Sequence, residues 1–594
     1  MKIKVSDYIA NFMVSKGINT AFVMNGGCIV HQIDSFAEHP SMNYVPMLHE
    51  QSIAMAADGY ARISGVPGLV AATSGPGATN LLTGICCSYY DSIPVIAITG
   101  QVSSKALKRD IPTRQVGFQE TDVVSIFKSV TKYIKLVTDA TTIKYELEKS
   151  FSIATSGRKG PVMLDICEDV LFSYVEDDNL VGYADAPQIQ GGDLVIDAGL
   201  LNSAYGYLKA AKRPIIVLGG GVRYAPNQSK YISFIESLGI PVLLTWGAYD
   251  FIEHSHPLFA GGFGVTSARN GNFVVQNADV ILSIGTRFDS HEIGSDPSKF
   301  APSATRIVVD IDEGEFVKFR ETGFKVDVPI ISSVDNFIDS FEEYVRNFKF
   351  DNQSLWFEKI TDWKNKYPIL SKKAIGQNIL VNPYKFFHEL SKYLTQQVTI
   401  VTDCGSNLIW TMQGYFIRKN QRVISAFNHS PMGYSLPAAI GAAFANPKEL
   451  IICVIGDGGL QINVQELAII AKHGLNIKIF VLNNHCHGII QGTQDAWLEG
   501  RHYASSPISG ALPDPNVSQI SLAYGISATD VHNIEELISV FPLIFSNTEP
   551  ELLNIHMNSE CQIEPKLMYG RSIEDSHPLL PRDELEQNLL PRAT

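Results

Sequence analysis

The residues best suited to chemistry are Glu50, in "MLHEQSIAMAADGYARISG", and the pair Asp457 and Asn484. Glu50 closes an apolar stretch just ahead of an alanine-rich segment. A carboxylate there can start a helix, where the dipole favours negative charge. It can also be held away from water to handle a proton. Asp457 sits in Gly456-Asp457-Gly458, at the end of an apolar run, and 27 positions later a second apolar run ends in Asn483-Asn484. One β–α–β unit fills that interval and returns the chain beside itself. Both residues then stand at the carboxyl ends of neighbouring strands, where open α/β sheets bind ligands. Asp and Asn offer hard oxygens, which suit Mg²⁺ shared with phosphate oxygens. Gly456, Gly458 and Gly459 let backbone N–H groups approach a diphosphate at a helix N-terminus. An isolated Gly-Asp-Gly is equally an ordinary turn; the spacing and the double asparagine argue for a site.

The elements that must position these residues are legible as an alternation. "GLVAATSGPGATN", "PVIAITGQ" and "GPVMLDICED" are short buried strands between helical patterns, the signature of parallel α/β architecture. A second unit carries "RPIIVLGGGV", "IPVLLTW", "ADVILSIGTRFD" and "TRIVVDID"; a third carries "QVTIVTDCGS", "ELIICVIGDGG" and "NIKIFVLNN". The expected fold is α/β, with three doubly wound parallel-sheet domains at 1–180, 190–345 and 375–560, and a tail at 561–594. Polar stretches at 181–193 and 348–376 mark the boundaries. The first and third units share a strand-then-glycine-loop rhythm that admits a duplication.

A chain of 594 residues with 45% hydrophobic content can build such cores, and a net charge of −14 argues against coating nucleic acid. No apolar run reaches the roughly 20 residues that span a bilayer. The first residues, "MKIKVSDYIANFMVSKG", pattern as an amphipathic helix rather than a secretion signal. The eight cysteines form no C-x-x-C pair, which suits free thiols in a reducing cytoplasm.

"GDGGLQINVQELAIIAKHGLNIKIFVLNN" resembles the thiamine diphosphate (ThDP) motif, and "HEQ", "AADGYAR" and "TSGPGATN" resemble the acetolactate synthase branch of the ThDP-dependent enzymes. The likeness runs from about Val5 to Gly525. It implies that the Glu50 carboxylate hydrogen-bonds the cofactor's pyrimidine and so assists loss of the thiazolium C2 proton, with the cofactor's own imino nitrogen as base. Asp457 and Asn484 become side-chain metal ligands, and Cys486 offers its carbonyl. Gly27 and, in a Phe-Gln-Glu run, Phe118 and Gln119 face the reacting centre. Further cofactor contacts fall to Asn25, Pro76, Asn80, the Gly456–Gly459 loop, His485, His487, Gly488 and Ile489. Met432 props the cofactor into its bent form; core packing is its other reading. His487 is a candidate proton shuttle, or a satisfied structural histidine. The two cofactor halves come from different chains, which implies a homodimer or homotetramer.

The middle unit resembles the FAD-binding one of acetolactate synthases at Arg158, Gly219-Gly220-Gly221, Thr245, Trp246, Gly264, Gly285-Thr286-Arg287, Asp289, Asp310-Ile311 and Asp327-Val328. There FAD is structural rather than redox-active. Strand-end turns and surface ion pairs are the alternative.

Three positions depart from that family. Its second arginine in R-F-D-D-R, which anchors the acceptor's carboxylate, is His291; its pocket tryptophan is Thr493; its lysine after "DI" is Glu168. An imidazole lacks the guanidinium's bidentate fork and is mostly neutral at pH 7. "RDIPTRQV" (Arg109–Val116) lengthens the loop before Gln119. The expectation is a ThDP/Mg²⁺ carboligase with a small 2-keto acid donor and a different acceptor, a keto-sugar nucleotide being one such. Authentic acetolactate synthesis and simple decarboxylation or C–C hydrolysis are the alternatives. A non-catalytic cofactor-binding protein is the alternative from another class, disfavoured by Glu50, Asp457 and Asn484. The tail either covers the active-site mouth or lies on a neighbour.

Overall fold

The computed structural model describes residues 2–183, 195–224, 227–351, 354–370 and 380–591. Most of the expected 181–193 linker lies outside them.

Three six-stranded, wholly parallel sheets organise the chain. The first holds β1 (Thr20–Val23), β2 (Asn43–Pro46), β3 (Gly68–Ala72), β4 (Val95–Gln101), β5 (Tyr133–Val137) and β6 (Val162–Cys167). The second holds β7 (Pro214–Leu218), β8 (Val242–Leu244), β9 (Phe259–Gly262), β10 (Val280–Ile284), β11 (Thr305–Asp310) and β12 (Val328–Ile331). The third holds β13 (Val398–Thr402), β14 (Gln421–Ile424), β15 (Ile451–Gly456), β16 (Ile477–Asn483), β17 (Ser527–Val531) and β18 (Glu551–His556). β3, β4, β6 and β16 are buried along their whole length, as strands covered on both faces must be.

The outer sheets have one topology. Their orders are β2-β1-β3-β4-β6-β5 and β14-β13-β15-β16-β18-β17, the same permutation of six strands. This matches the rhythm the first and third units share in sequence. The middle sheet runs β9-β8-β7-β10-β11-β12, the dinucleotide-binding order with its crossover between β7 and β10.

The outer units dock through two helices, α1 (Glu50–Ser64) and α2 (Ser435–Ala445), whose residues share one core cluster. Glycines let the backbones meet. A Cβ on Gly59 would lie 2.3 Å from the Ala438 carbonyl, and one on Gly441 only 1.8 Å from that of Ala56. α1 starts where the His49 side chain accepts from Gln51 N–H, and ends at Gly65 with φ +77°. Two further helices serve the third sheet: α3 (Asp457–Ile462) and α4 (Gly488–Trp497).

The polar, aromatic stretch at 348–376 is more than a boundary. A helix at Leu355–Lys366 buries Trp356 and Trp363, and the Trp356 indole N–H donates to Pro214 O at 3.1 Å. The tail lies on its own chain. Asn272 donates to Ile573 O at 2.8 Å, and Trp363 donates to Asn588 Oδ1 at 2.7 Å, so it straps the middle unit. No described helix is long and apolar enough to cross a membrane.

Candidate active site

Two clusters carry the chemistry, one on each outer unit. In the first, Glu50 is half-buried as the first residue of α1, and Asn80 Nδ2 donates to its Oε2 at 2.9 Å. The short helix Pro76–Asn80 brings Asn80 there. A Cβ on Gly77 would stand 2.6 Å from Thr73 Cγ2 and 3.6 Å from Glu50 Oε1, so a side chain at 77 would crowd the carboxylate. The Asn25–Gly27 loop abuts the same wall, since a Cβ on Gly26 would meet Thr73 at 2.5 Å, while Gly27 faces open space. Gln119 joins the cluster with φ +64°, its Cβ 3.0 Å from the position a Gly75 side chain would take. Phe118 is 85% exposed beside it. The Arg109–Val116 loop is pinned by Glu120, which accepts from Lys108, Val116 and Gly117 N–H at 2.5, 2.8 and 3.3 Å. Desolvation works against the Glu120 charge, but those N–H groups hold the carboxyl below its ordinary range. Glu168 opens a helix close enough to Cys28 to add to the effect of burial in raising that thiol.

The second cluster lies at the carboxyl ends of β15 and β16. The Asn484 side-chain amide stands 3.3 Å from Asp457 Oδ1 and 2.8 Å from the Cys486 carbonyl. With its nitrogen turned inward it hydrogen-bonds both. With its oxygen inward, three oxygens from the three expected ligand residues converge, the arrangement Mg²⁺ uses at about 2.0–2.1 Å per bond. The residues therefore fit a hard divalent cation. Burial pushes the Asp457 carboxyl up to about 7, the strain a cation would relieve.

Glycines shape the floor. A Cβ on Gly458 would lie 2.8 Å from His487 Nε2 and 3.2 Å from Met432 Cε, so Gly458, His487 and Met432 form one wall. Gly488 packs on Asn484, and Ile489 follows in the first turn of α4. His485 turns elsewhere: its Nδ1 meets Asp514 at 3.0 Å and its Nε2 meets His556 at 3.4 Å. Asp403 escaped the sequence reading. It accepts from Gly433 N–H at 3.0 Å and Ser435 N–H at 3.2 Å, which fixes the turn carrying Met432. A Cβ on Gly459 would strike its carboxylate at 2.2 Å. Burial raises this carboxyl to about 6 against the pull of the N–H groups. Its only sequence signal was an acid ending the strand "TIVTD".

Within one chain the clusters are offset. Leu48 N–H donates to Glu466 Oε1 at 3.3 Å, and Ser52 Oγ to Asn463 Oδ1 at 3.1 Å. Glu50's neighbours thus touch the segment after α3, a helix length of about 9 Å from Asp457 at its start.

A cavity of about 770 Å³ opens where the three units meet. Arg158, Gly219, Gly220, Gly221, Thr245, Trp246, Gly285, Thr286, Arg287, Asp289, Asp310 and Ile311 all line it. Arg158 Nη1 bridges to Asp312 and Glu315, each at 2.7 Å, and Asp289 caps a short helix by accepting from His291 N–H at 2.8 Å. Gly219 and Gly221 also pack directly on Gly285, which by itself demands glycine there. The size and the glycine-rich, cation-bearing rim fit an extended anionic cofactor. Asp327, Val328 and Gly264 are not in the wall. Asp327 and Val328 lie at the amino-terminal start of β12, the wrong edge of a parallel sheet, where Asp327 accepts from Arg306 N–H at 2.9 Å. Ser332 and Ser333, past the other end of β12, line the cavity instead. Gly264 (φ +127°) packs behind the rim on His291 O.

These features coincide with matches along the chain. Residues 3–126 match the N-terminal TPP-binding domain of thiamine pyrophosphate enzymes, 201–341 their central domain and 403–555 their C-terminal TPP-binding domain. The chain belongs to the thiamine pyrophosphate enzymes. It lies in their acetolactate synthase-like branch. It is 30% identical to acetolactate synthase isozyme 1 large subunit of Escherichia coli K12 over 95% of this chain and 96% of that one. It is 31% identical to the acetolactate synthase large subunit of Cyanidium caldarium, covering 95% of each. It is 29% identical to that of Lactococcus lactis, over 98% and 97%.

Within this thiamine pyrophosphate enzyme, His291 is half-buried, its ring 4.0 Å from Trp246 and its Nε2 3.0 Å from Thr266 Oγ1. Desolvation lowers its pKa, so position 291 carries no charge near neutrality. Thr493 is exposed on α4, its hydroxyl donating back to Ile489 O at 3.3 Å.

Proposed function

We propose that this chain is a ThDP- and Mg²⁺-dependent carboligase. It decarboxylates pyruvate or a similar small 2-keto acid and passes the two-carbon acyl unit to a carbonyl other than that of a second small 2-keto acid. A keto-sugar nucleotide is one acceptor of that class. Bound ThDP supplies the electron sink for decarboxylation and acyl transfer. Glu50, steadied by Asn80, holds a carboxylate for the pyrimidine ring. Asp457, Asn484 and the Cys486 carbonyl would hold Mg²⁺, and Met432 with Gly458 would form a wall of the cofactor's site. The donor's C1–C2 bond breaks and CO₂ leaves. The electron pair stays with the acyl carbon, which bonds to the acceptor carbonyl carbon, and the resulting alkoxide takes a proton. Because the clusters are offset within one chain, a homodimer in which each Glu50 faces the other chain's Asp457 completes two sites. FAD fills the 770 Å³ cavity as a structural group.

One observation carries the acceptor reading: the uncharged, hydrogen-bonded His291 where these synthases place an anchoring cation. The full-length likeness to acetolactate synthases favours a second reading, in which two pyruvates condense. Labelled pyruvate, supplied alone and with aldehyde or keto-sugar acceptors, separates them by product mass. Coupled products, with only slow acetolactate, support the proposal. Fast, saturable acetolactate from pyruvate alone overturns it. Free acetaldehyde or acetate with every acceptor points to decarboxylation alone.

A further inference from the structure

Beside α4 lies a second, smaller cavity of about 120 Å³. Thr266, Ser406, Ile489, Thr493, Gln562 and Lys566 give it its character. It shares a wall with the metal cluster: Gly488 lines it, and a Cβ there would lie 2.6 Å from Asn484 Nδ2. Ser406 follows β13 by a few residues, so the cavity opens at the same carboxyl edge of the third sheet as Asp457.

Lys566 is the cavity's one cationic side chain among the described residues, and the tail fixes its backbone on every side. Tyr384 OH accepts from Glu564 N–H at 2.9 Å, and Gln413 Nε2 donates to Pro565 O at 2.9 Å. Leu567 N–H donates to Val265 O at 2.6 Å, and Lys566 exchanges backbone hydrogen bonds with His577. The side chain reaches back to α4, where a Cβ on Gly492 would stand 3.0 Å from Nζ and 2.9 Å from Gln562 Oε1. Gly492 thus leaves the space the ammonium occupies, one residue before Thr493. Among the described residues no carboxylate lies within ion-pair distance of Nζ, so the half-buried charge is unpaired. Thr266, which also lines the cavity, shares its hydroxyl with His291 Nε2 at 3.0 Å.

We propose that Lys566 binds an anionic group carried by the acceptor, phosphate or carboxylate, and thereby selects the acceptor. This rests on the carboligase reading above. A charge-assisted hydrogen bond in a partly desolvated site changes affinity by roughly 10- to 100-fold. Thr493, where a bulkier side chain would close the cavity mouth, leaves the rest of the acceptor room to extend outward.

The test uses the full-length holoenzyme with pyruvate as donor and three acceptors: glyceraldehyde 3-phosphate, succinic semialdehyde and neutral propionaldehyde. In Lys566→Gln the KM for the anionic acceptor that the wild type uses should rise about tenfold or more, with kcat little changed. Propionaldehyde should be unaffected, and Lys566→Arg should restore the KM. The phosphate and carboxylate arms tell which anion is read. Unchanged KM values for both anionic acceptors overturn the proposal, whichever product the wild type makes. If the wild type instead condenses two pyruvates and Lys566→Gln weakens only that step, Lys566 keeps its role and the acceptor reading above falls. A measurement without turnover stands beside this one: acylation of the Lys566 amine, followed by peptide mass spectrometry in the ThDP- and Mg²⁺-loaded protein. Inorganic phosphate or acetate should slow it, and equal rates with and without both contradict the proposal.

Discussion

Asn80 donates its side-chain N–H to Glu50 Oε2 at 2.9 Å, so the carboxylate that opens α1 is aimed by a residue thirty positions downstream. That bond leaves Oε1 beside Gly77, on the open side of the 73–77 loop. Glu50→Gln should lower kcat by about 10²- to 10⁴-fold, the range for a group that governs proton movement in a transition state. Asn80→Ala, which frees the carboxylate without removing it, should cost less, on the order of tenfold. Neither should move the melting temperature by more than a degree or two. Steady-state kinetics beside thermal unfolding checks both.

The offset of the two clusters makes a mixing experiment decisive. Glu50→Gln and Asp457→Asn homodimers should each be inactive. Unfolded and refolded together, they form heterodimers in which one site carries both substitutions and the other neither. Activity should return towards a quarter of the wild-type value when half the molecules are heterodimers. A mixture as silent as its parents would place each site within one chain.

The glycine contacts between α1 and α2 set the docking of the outer units. Gly441→Ala puts a methyl 1.8 Å from the Ala56 carbonyl, in fully buried surroundings. It should destabilise by about 1–3 kcal/mol or more. Gly206, inside the helix Ala198–Ala210, has nothing within 4 Å of its would-be Cβ. Gly206→Ala should raise stability by up to about 1 kcal/mol. Chemical denaturation of the two variants checks the contrast.

How much of this was legible in the sequence depends on where each residue lies. Ten of the twelve central strands announced themselves because both faces are buried, so their residues are almost all apolar; β1 and β18, central too, did not. The other strands missed, such as Asn43–Pro46 and Ser527–Val531, are edge strands with exposed positions, and their mixed pattern is that of a loop. Asp457 and Asn484 were legible because one β–α–β unit fixes their separation. Asp403 was not: its partners are backbone N–H groups thirty residues away, which no local pattern encodes. Asp327 and Val328 match the cofactor-binding pattern by motif alone, and strand direction puts them at the far edge. Lys566 lies beyond the recognisable motifs, and only the folded tail brings it to α4.

Glu466 supplies a pH signature. It is fully buried against Leu48 N–H and the start of α1, and burial first of all pushes its carboxyl from 4.5 up to about 7. Between those pH values the folded chain keeps a proton that the unfolded chain has lost. The contribution is therefore fully present below about 4.5 and is lost as pH rises through 7. Glu466→Gln should flatten the fall in stability across that window by up to about 1.4 kcal/mol per pH unit. Urea unfolding at pH 5, 6, 7 and 8 reads the slope, and parallel wild-type and variant curves would refute the assignment.

Hydrogen–deuterium exchange at C2 of ThDP bound to the enzyme tests the catalytic claim most directly, because it needs no donor or acceptor. The wild type should exchange that proton orders of magnitude faster than free ThDP, and Glu50→Gln, still holding the cofactor, should lose most of the acceleration. Equal exchange rates in wild type and variant, at equal ThDP occupancy, would contradict the role given to Glu50 and with it the carboligase built on that carboxylate.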